Sequence, residues 1–159
     1  MDVCVVDTTG VRPVSTEAAV AVVESGTRIA WIDLGHDERE GMRLLVALLQ
    51  ARPDDVDDCF NRLPVPKLHA YADHYFSAIN GLARGTDGRL YFQPLKIFFT
   101  ANVLITVMGP TSAALGPEAV HRDLTLIRGR LDTPQLRPRS AFDLVTAIRL
   151  QMLRSQESL

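Results

Sequence analysis

The sequence predicts an α/β protein, an α/β/α sandwich with a mixed parallel and antiparallel sheet and helices on both faces. Runs of β-branched, aromatic and other apolar residues indicate five strands, two of which are joined by a tight-turn sequence typical of a hairpin. Segments whose apolar residues recur every three or four positions lie before and after these hairpin strands and indicate helices. Hairpins combined with flanking helices give a sheet of mixed strand direction between helical layers.

Length and composition limit the class of protein. The 159 residues suit one domain with a sizeable core, and residues 1–159 are predicted to form a single domain. The net charge of −2 does not indicate a nucleic-acid partner. Cys4 and Cys59 form no paired motif, so we expect free thiols in a reducing compartment. No apolar run approaches about 18 residues, so we expect no direct membrane insertion by this chain.

The first predicted elements are a strand, a helix and a second strand. Residues 3–6 are a short β-branched run. Thr16 is expected to cap a helix that ends at Gly26. The apolar run at residues 29–33 ends in a carboxylate, as a buried strand does where it reaches its loop. Trp31 lies in the middle of this run, and we therefore expect its side chain to be buried.

Two further helices are predicted after the second strand. Asp37 is expected to cap the first of them, because Glu40 follows three residues later in the spacing of a capping box. The apolar face of this helix consists of Met42, Leu45, Leu48 and Leu49. Pro53 suits the first turn of a second, shorter helix. That helix carries an acidic cluster, Asp54, Asp55, Asp57 and Asp58.

Three strands are predicted in the middle of the chain, at residues 69–82, 90–99 and 103–107. The sequence Asp87-Gly88 between the first two is a hairpin turn signal. Pro94 lies inside the middle strand. Because proline cannot donate a hydrogen bond to a neighbouring strand, its position predicts a sheet edge or a bulge there.

Two helices are predicted at the C-terminal end. Pro117 begins the first, whose apolar residues are Val120, Leu124, Ile127 and Leu131. Ser140, with Asp143 three residues on, is expected to cap the last helix. The apolar face of that helix consists of Phe142, Val145, Ile148 and Met152. No glycine or proline stops it before Leu159, a pattern that fits a truncated chain and a frayed natural terminus alike.

The order of these segments resembles the cytoplasmic domain of the CorA family of magnesium transporters. The similarity lies in W-I-D, an acidic helix ending D-D-x-F-N, P-K-x-x-x-Y, D-G-R-L and N-V-L-I-T-V, and it covers residues 28–155. It implies an α/β/α sandwich whose last helices lead into a long stalk helix and two membrane helices with a Gly-Met-Asn signature. The stalk and that signature are absent from these 159 residues.

The acidic helix is the candidate metal site. Acidic residues in the first turns of a helix are stabilised by the helix dipole, so the cluster alone also fits a purely structural role. The resemblance implies regulatory Mg²⁺ sites between protomers, and the matching positions are Asp57 and Asp58. Two features depart from the family: Arg149 stands where the resemblance implies an acid, and residues 63–67 keep only the last two residues of H-Q-R-P-K.

No catalytic motif is present in the sequence, so we do not expect an enzyme. The resemblance implies a regulatory domain of a CorA-like Mg²⁺ or divalent-cation transporter, at the cytoplasmic face of the cell membrane, that senses cytosolic Mg²⁺ weakly. It also implies a pentamer in the parent protein. We expect this chain alone to be a monomer, or a weak dimer through the apolar face of the last helix.

Two alternatives remain open from the sequence. The first is the cytoplasmic domain of a ZntB-like zinc transporter, a related branch that shares the fold. A free-standing CorA-like domain that acts as a protein-interaction module is the second alternative, and Arg149 in place of an acid favours it.

Overall fold

The structure of the chain is a computed structural model, and it describes residues 1–61 and 65–159. These residues form seven strands and five helices. The strands are β1 Asp2–Asp7, β2 Gly10–Pro13, β3 Ile29–Gly35, β4 Lys67–Ala70, β5 Tyr75–Arg84, β6 Leu90–Phe99 and β7 Val103–Met108. The helices are α1 Thr16–Ser25, α2 Arg39–Leu49, α3 Pro53–Asp58, α4 Pro117–Leu131 and α5 Ala141–Glu157.

The seven strands form one sheet in the order β2-β1-β3-β7-β6-β5-β4. Strands β3 and β7 pair in parallel, and the other neighbouring strands in this described sheet pair antiparallel. Helices α4 and α5 cover one face, and α1, α2 and α3 cover the other. The predicted sandwich with a mixed sheet is therefore confirmed.

Trp31 is fully buried, as predicted. The side chains of its strand, β3, alternate between the two faces of the sheet. In β3, Ile29 and Trp31 point toward α4 and α5, whereas Ile32 and Leu34 point toward α2. The same alternation continues in β7, because successive side chains of a strand point to opposite faces. Each face of the sheet therefore has its own hydrophobic core.

Two predictions about the strands were incomplete. Strand β2 was not predicted, because it begins at Gly10 and a glycine after two threonines is typical of a turn. In the structure Gly10 has a φ of 137°, which favours glycine. The strand predicted at residues 69–82 is two antiparallel strands, β4 and β5. The Tyr71 amide donates to the His74 carbonyl at 2.9 Å and closes the turn between them.

The predicted helix caps differ from those in the structure. Helix α2 begins after Glu38, which makes no side-chain cap bond, so the capping box of Asp37 and Glu40 was wrong. A turn closed by the Glu38 amide and the Gly35 carbonyl delays the start of this helix. Helix α1 is capped by Ser15 rather than by Thr16. Ser140 is the cap residue of α5, but its hydroxyl makes no cap bond.

Pro94 lies at a local edge of the sheet, as its sequence position predicted. Strand β6 pairs with β5 along its whole length but with β7 only from Leu95 onward. The Pro94 carbonyl accepts from the Gly109 amide at 2.9 Å, so the backbone nitrogen of Pro94 also faces this open side. The missing N–H therefore removes no bond of the β5–β6 ladder.

The apolar face predicted for α5 is largely unavailable for dimerisation. Val145, Ile148 and Met152 are buried in the core between α5 and the sheet. The large apolar side chains that α5 exposes are Phe142, Leu150 and Leu153. A dimer through the four predicted residues would require the core to open, so that surface prediction was wrong.

A buried polar network joins β3, β7 and α4. The Trp31 indole donates to the Thr106 hydroxyl at 3.0 Å, and this hydroxyl donates to the Asp33 carboxylate at 2.7 Å. Arg128 of α4 donates to the other oxygen of that carboxylate at 3.2 Å and stacks over the Trp31 ring. Burial raises the pKa of Asp33, whereas the Thr106 hydroxyl and Arg128 favour its charged form.

Thr106→Val tests how much this network stabilises the fold. The variant removes the acceptor of the Trp31 indole and one donor to Asp33, and it leaves both groups buried without that partner. We expect the free energy of unfolding to fall by about 1–3 kcal/mol in urea denaturation. Thr125→Val on the exposed side of α4 is the matched control, with an expected change within about 0.5 kcal/mol. Equal stability of the two variants would show that the network contributes little.

Candidate metal site

Helix α3 is a short helix that begins with a proline. Pro53 occupies its first turn, where a missing N–H costs no helical bond. Asp54 and Asp55 follow in the same turn and interact favourably with the helix dipole. The helix ends after Asp58, and Cys59 anchors it in the core. Burial raises the pKa of the Cys59 thiol to about 12, so this thiol is held in its neutral form.

Asp55 points into the protein and is not available to a cation from solvent. Its carboxylate is buried and accepts a hydrogen bond from the Tyr71 hydroxyl at 2.7 Å. The ring nitrogen Nδ1 of His69 lies 3.3 Å from the other carboxylate oxygen. Partial burial, together with the bond to Asp55, raises the pKa of Tyr71 to about 12. Asp55 therefore fixes α3 to strand β4 and the turn that follows it.

Asp57 and Asp58, the predicted metal ligands, differ in what surrounds them. Asp57 is exposed to solvent, and among residues 1–61 and 65–159 it forms no ion pair. Asp58 is half-buried and forms an ion pair with the ammonium group of Lys67 in β4. The structure brings the two carboxylates to one end of α3, but it leaves only Asp57 uncommitted.

A second lysine lies beneath the same end of the helix. Lys96 is fully buried in β6, and its ammonium group donates to the Asn61 backbone carbonyl at 3.1 Å. Burial lowers the pKa of Lys96, whereas the nearby Asp58 carboxylate favours its charged form. Lys67 and Lys96 therefore place two positive groups where the C-terminal end of α3 and the Asp58 carboxylate concentrate negative charge.

The donor set fits a weakly held, hydrated Mg²⁺ ion rather than an enclosed one. Mg²⁺ retains several waters and needs one or two carboxylates, which Asp57 and Asp58 can supply if Lys67 gives way. Within residues 1–61 and 65–159, no group of three or more histidine, cysteine, aspartate or glutamate side chains could hold a metal ion. Any closed coordination shell would need ligands from outside this part of the chain.

His69 and His74 do not form a metal site with each other. Both residues fall in the segment predicted as one strand at residues 69–82, but they lie on the two sides of the β4–β5 turn. Both rings contact the Tyr71 ring. His69 lies beside the Asp55 carboxylate, and His74 lies 2.9 Å from the carboxylate of Asp73. The two histidines are therefore held by different carboxylates.

Of the two departures from the family pattern, Arg149 lies on α5, which covers the face of the sheet opposite to α3. Arg149 is exposed on α5 and lines a shallow pocket with Pro66 and Asn80. It adds positive charge beside the connection into β4. The predicted break at residues 63–67 lies partly outside the described residues, since residues 63 and 64 are not described.

Lys67, Tyr71 and Lys96 shape the site but were not identified from the sequence as functional residues. One signal was present for Lys96: it is the one charged residue in the strand predicted at residues 90–99. A charged residue in a buried strand requires a polar partner, which predicts a contact with a carboxylate or a carbonyl. No comparable signal in the sequence marks Tyr71.

The fold is that of the soluble domains of CorA-type cation transporters, which confirms the resemblance found in the sequence. The chain is similar to the full-length CmaX protein, with a TM-score of 0.74 and 14% identity over 99% of the chain. It is also similar to the CorA magnesium transporter of Methanocaldococcus jannaschii, with a TM-score of 0.65 and 18% identity over 98% of the chain. No family model and no curated protein matches it.

A third similar structure is the cytoplasmic domain of ZntB from Vibrio parahaemolyticus, with a TM-score of 0.61 and 15% identity over 94% of the chain. The chain spans 46% of the CmaX chain, 45% of the CorA chain and 56% of the ZntB chain, which is about half of each. In the part of the chain that the structure describes, no helix is both long and apolar enough to cross a membrane.

Asp55→Ala tests whether the acids of α3 have separate roles. We expect the free energy of unfolding to fall by about 1–3 kcal/mol, because the half-buried Tyr71 hydroxyl loses a charged acceptor. Asp54→Ala, an exposed position in the same helical turn, is the control and should change stability by less than about 0.5 kcal/mol. Urea denaturation measures both. A tolerated Asp55→Ala variant would contradict a structural role for Asp55.

Proposed function

We propose that this chain is the soluble regulatory domain of a CorA-like divalent-cation transporter, located at the cytoplasmic face of the membrane. The observation that carries the proposal is the similarity of fold over nearly the whole chain to CmaX, to a CorA magnesium transporter and to a ZntB cytoplasmic domain. The transport pathway lies outside these 159 residues. The role of the domain is regulatory rather than enzymatic.

The proposed ligand is Mg²⁺ at a contact between protomers, with Asp57 and Asp58 as the ligands of this chain. Asp57 is exposed and can approach another protomer, whereas Asp58 exchanges Lys67 for the cation. The ion pair must break before Asp58 can bind, so it weakens the apparent affinity for Mg²⁺. A regulatory site benefits from this, because the metal shifts the packing of protomers only by its difference in affinity between two states.

The first alternative within this proposal concerns the metal, which could be Zn²⁺ rather than Mg²⁺. The ZntB cytoplasmic domain shares the fold, so a ZntB-like zinc transporter is a second candidate parent protein. Zinc sites favour cysteine and histidine ligands, whereas α3 offers exposed carboxylates, which suit Mg²⁺. The donor chemistry of α3 therefore favours Mg²⁺.

A free-standing interaction module is the second candidate function. The ion pair between Asp58 and Lys67 favours it, because it satisfies the second carboxylate without a metal. Arg149 favours it as well, because a positive charge repels a cation. Coding sequence that continues beyond Leu159 into apolar helices would favour the transporter domain, and a stop codon there would favour the module.

Mg²⁺ binding to α3 can be measured by following backbone amide shifts in nuclear magnetic resonance spectra. We expect weak binding at millimolar Mg²⁺, with shifts at Asp57 and Asp58 that Asp57→Asn/Asp58→Asn removes. Lys67→Met should tighten binding, because it frees Asp58 from its ion pair and leaves an unbranched apolar side chain in place of the lysine. Arg122→Met, exposed on α4, controls for the loss of one positive charge.

Two results would contradict the proposed site. Tight binding that survives the double asparagine variant would place the metal elsewhere. An equal gain in affinity in Lys67→Met and Arg122→Met would show that net charge, rather than the freed Asp58, controls binding.

The oligomeric state of the isolated chain is a separate prediction. Specific interfaces bury about 1,200–2,000 Å² in total, and the exposed apolar side chains of α5 are scattered among charged ones. Acidic helices brought together at a contact would also repel one another without a cation. We expect a monomer or a weak dimer by light scattering at tens of micromolar. A stable pentamer without added metal would contradict the idea that the stalk holds the assembly together.

A further inference from the structure

A basic cleft lies at the end of the sheet where β3 and β7 begin. This open cleft has a volume of about 780 Å³, which is in the size range of small-molecule sites. Five separate segments line it: the β1–β2 turn, part of β2, the α1–β3 loop, the β6–β7 turn and the connection between α4 and α5. None of the residues of α3 lines it, so the cleft is separate from the candidate metal site.

The charged lining of this cleft is strongly unbalanced. Its charged residues are Arg12, Arg28, Arg137, Arg139 and Asp7. Four guanidinium groups therefore face one carboxylate in a chain whose net charge is −2. Such a concentration of one sign of charge in a concave surface raises the local potential and attracts anions.

Asp7 compensates only part of this charge. The hydroxyl and amide of Thr9 donate to its carboxylate at 2.5 and 2.8 Å, and Arg12 lies 3.5 Å from it. The Thr9 bonds lower the pKa of Asp7, and Arg12 and Arg28 lower it further. Among residues 1–61 and 65–159, neither Arg28 nor Arg139 forms an ion pair with a carboxylate. Their guanidinium groups can therefore bind an external anion.

The walls of the cleft are held in place by hydrogen bonds between segments. The Ala141 amide donates to the Ala101 carbonyl at 2.7 Å, which ties the start of α5 to the β6–β7 turn. The Asn102 side-chain amide donates to the Val23 carbonyl at 2.9 Å and joins that turn to the end of α1. A binding surface that is fixed before the ligand arrives loses less conformational entropy on binding.

Arg137 stabilises the α4–α5 connection through hydrogen bonds to its backbone. Its Nη1 atom donates to the backbone carbonyls of Leu131, Thr133 and Leu136 at 2.8, 2.7 and 3.1 Å. This arrangement orients the guanidinium group without neutralising its charge, because carbonyl oxygens carry no formal charge. Arg28, Arg137 and Arg139 are all exposed to solvent, so their guanidinium groups can be reached by a ligand.

We infer that this cleft binds a small anion carrying two or more phosphate groups. The planar guanidinium fork matches phosphate oxygens in pairs, and several arginines suit a ligand with several such groups. The hydroxyl groups of Thr8, Thr27 and Ser140 in the lining can donate further hydrogen bonds. Because no aromatic side chain lines the cleft, it offers no surface on which a nucleotide base could stack.

The same chemistry occurs in two sources, a soluble phosphate ester and the headgroup of a phosphoinositide lipid. Inorganic pyrophosphate is the probe for the soluble arm, titrated by calorimetry in metal-free buffer. Phosphatidylcholine vesicles with and without phosphatidylinositol bisphosphate are the probe for the lipid arm, measured by co-sedimentation. Pyrophosphate that displaces the chain from these vesicles would show that both ligands use one site.

Arg28→Gln/Arg139→Gln is the test variant, because both residues are exposed and neither braces the fold. We expect at least about a tenfold loss of pyrophosphate affinity, since paired charge-assisted hydrogen bonds are lost. Arg39→Gln/Arg43→Gln, at two exposed positions of α2 outside the cleft, removes the same charge and should retain affinity within about twofold. Unchanged thermal unfolding would show that both variants are folded.

Three results would overturn the inference. The first is no measurable binding of either probe to the unaltered chain. The second is an equal loss of affinity in the two double variants, which would attribute binding to net charge. The third is equal affinity for sulfate and for pyrophosphate, which would indicate a general anion-attracting surface rather than a site for several phosphate groups.

Discussion

The parallel pairing of β3 with β7 is the constraint on which the rest of this fold depends. These strands lie at the centre of the sheet, and their register places Asp33 opposite Thr106. The hydrogen bond between these side chains supports that register, since a slip of one residue would turn one of the two side chains toward the other face. Strands β1 and β2 then extend the sheet on one side, and β6, β5 and β4 extend it on the other.

The same network determines where the helical layer sits. Arg128 connects α4 to the Asp33 carboxylate and to the Trp31 ring, so one side chain positions the helix against the centre of the sheet. A buried carboxylate without these partners would be costly, because burial disfavours its charged form. The buried polar groups of this network all find hydrogen-bond partners within it, and these partners come from β3, β7 and α4.

Charge compensation has a comparable role on the opposite face. The acids of α3 are opposed by Lys67 from β4 and Lys96 from β6, two strands that are not consecutive in the sheet. The helix is therefore stable without a cation, and a cation must compete with an internal ammonium group. At the other half of the sheet, the four arginines that line the basic cleft share the lining with one carboxylate, that of Asp7. The small net charge of the chain thus conceals an acidic and a basic region.

The sequence by itself determined the fold class, the positions of most strands and helices, and the burial of Trp31. Hydrophobic periodicity and turn residues are local signals, and these elements depend mainly on local signals. The sequence also placed Asp57 and Asp58 at the end of one helix, although their role as metal ligands remains a prediction. Strand β2 and the residues that cap α1 and α2 were not predicted correctly, because they depend on turn geometry rather than on residue type.

Only the tertiary structure decided which side chains meet across the sheet. Asp58 and Lys67 are separated by the α3–β4 connection, and Asp33 and Arg128 by 95 positions in the chain. No periodicity encodes such contacts, because they arise when distant segments are brought together by burial of the two cores. For the same reason, the convergence of four arginines from β2, the α1–β3 loop and the α4–α5 connection was invisible in the sequence.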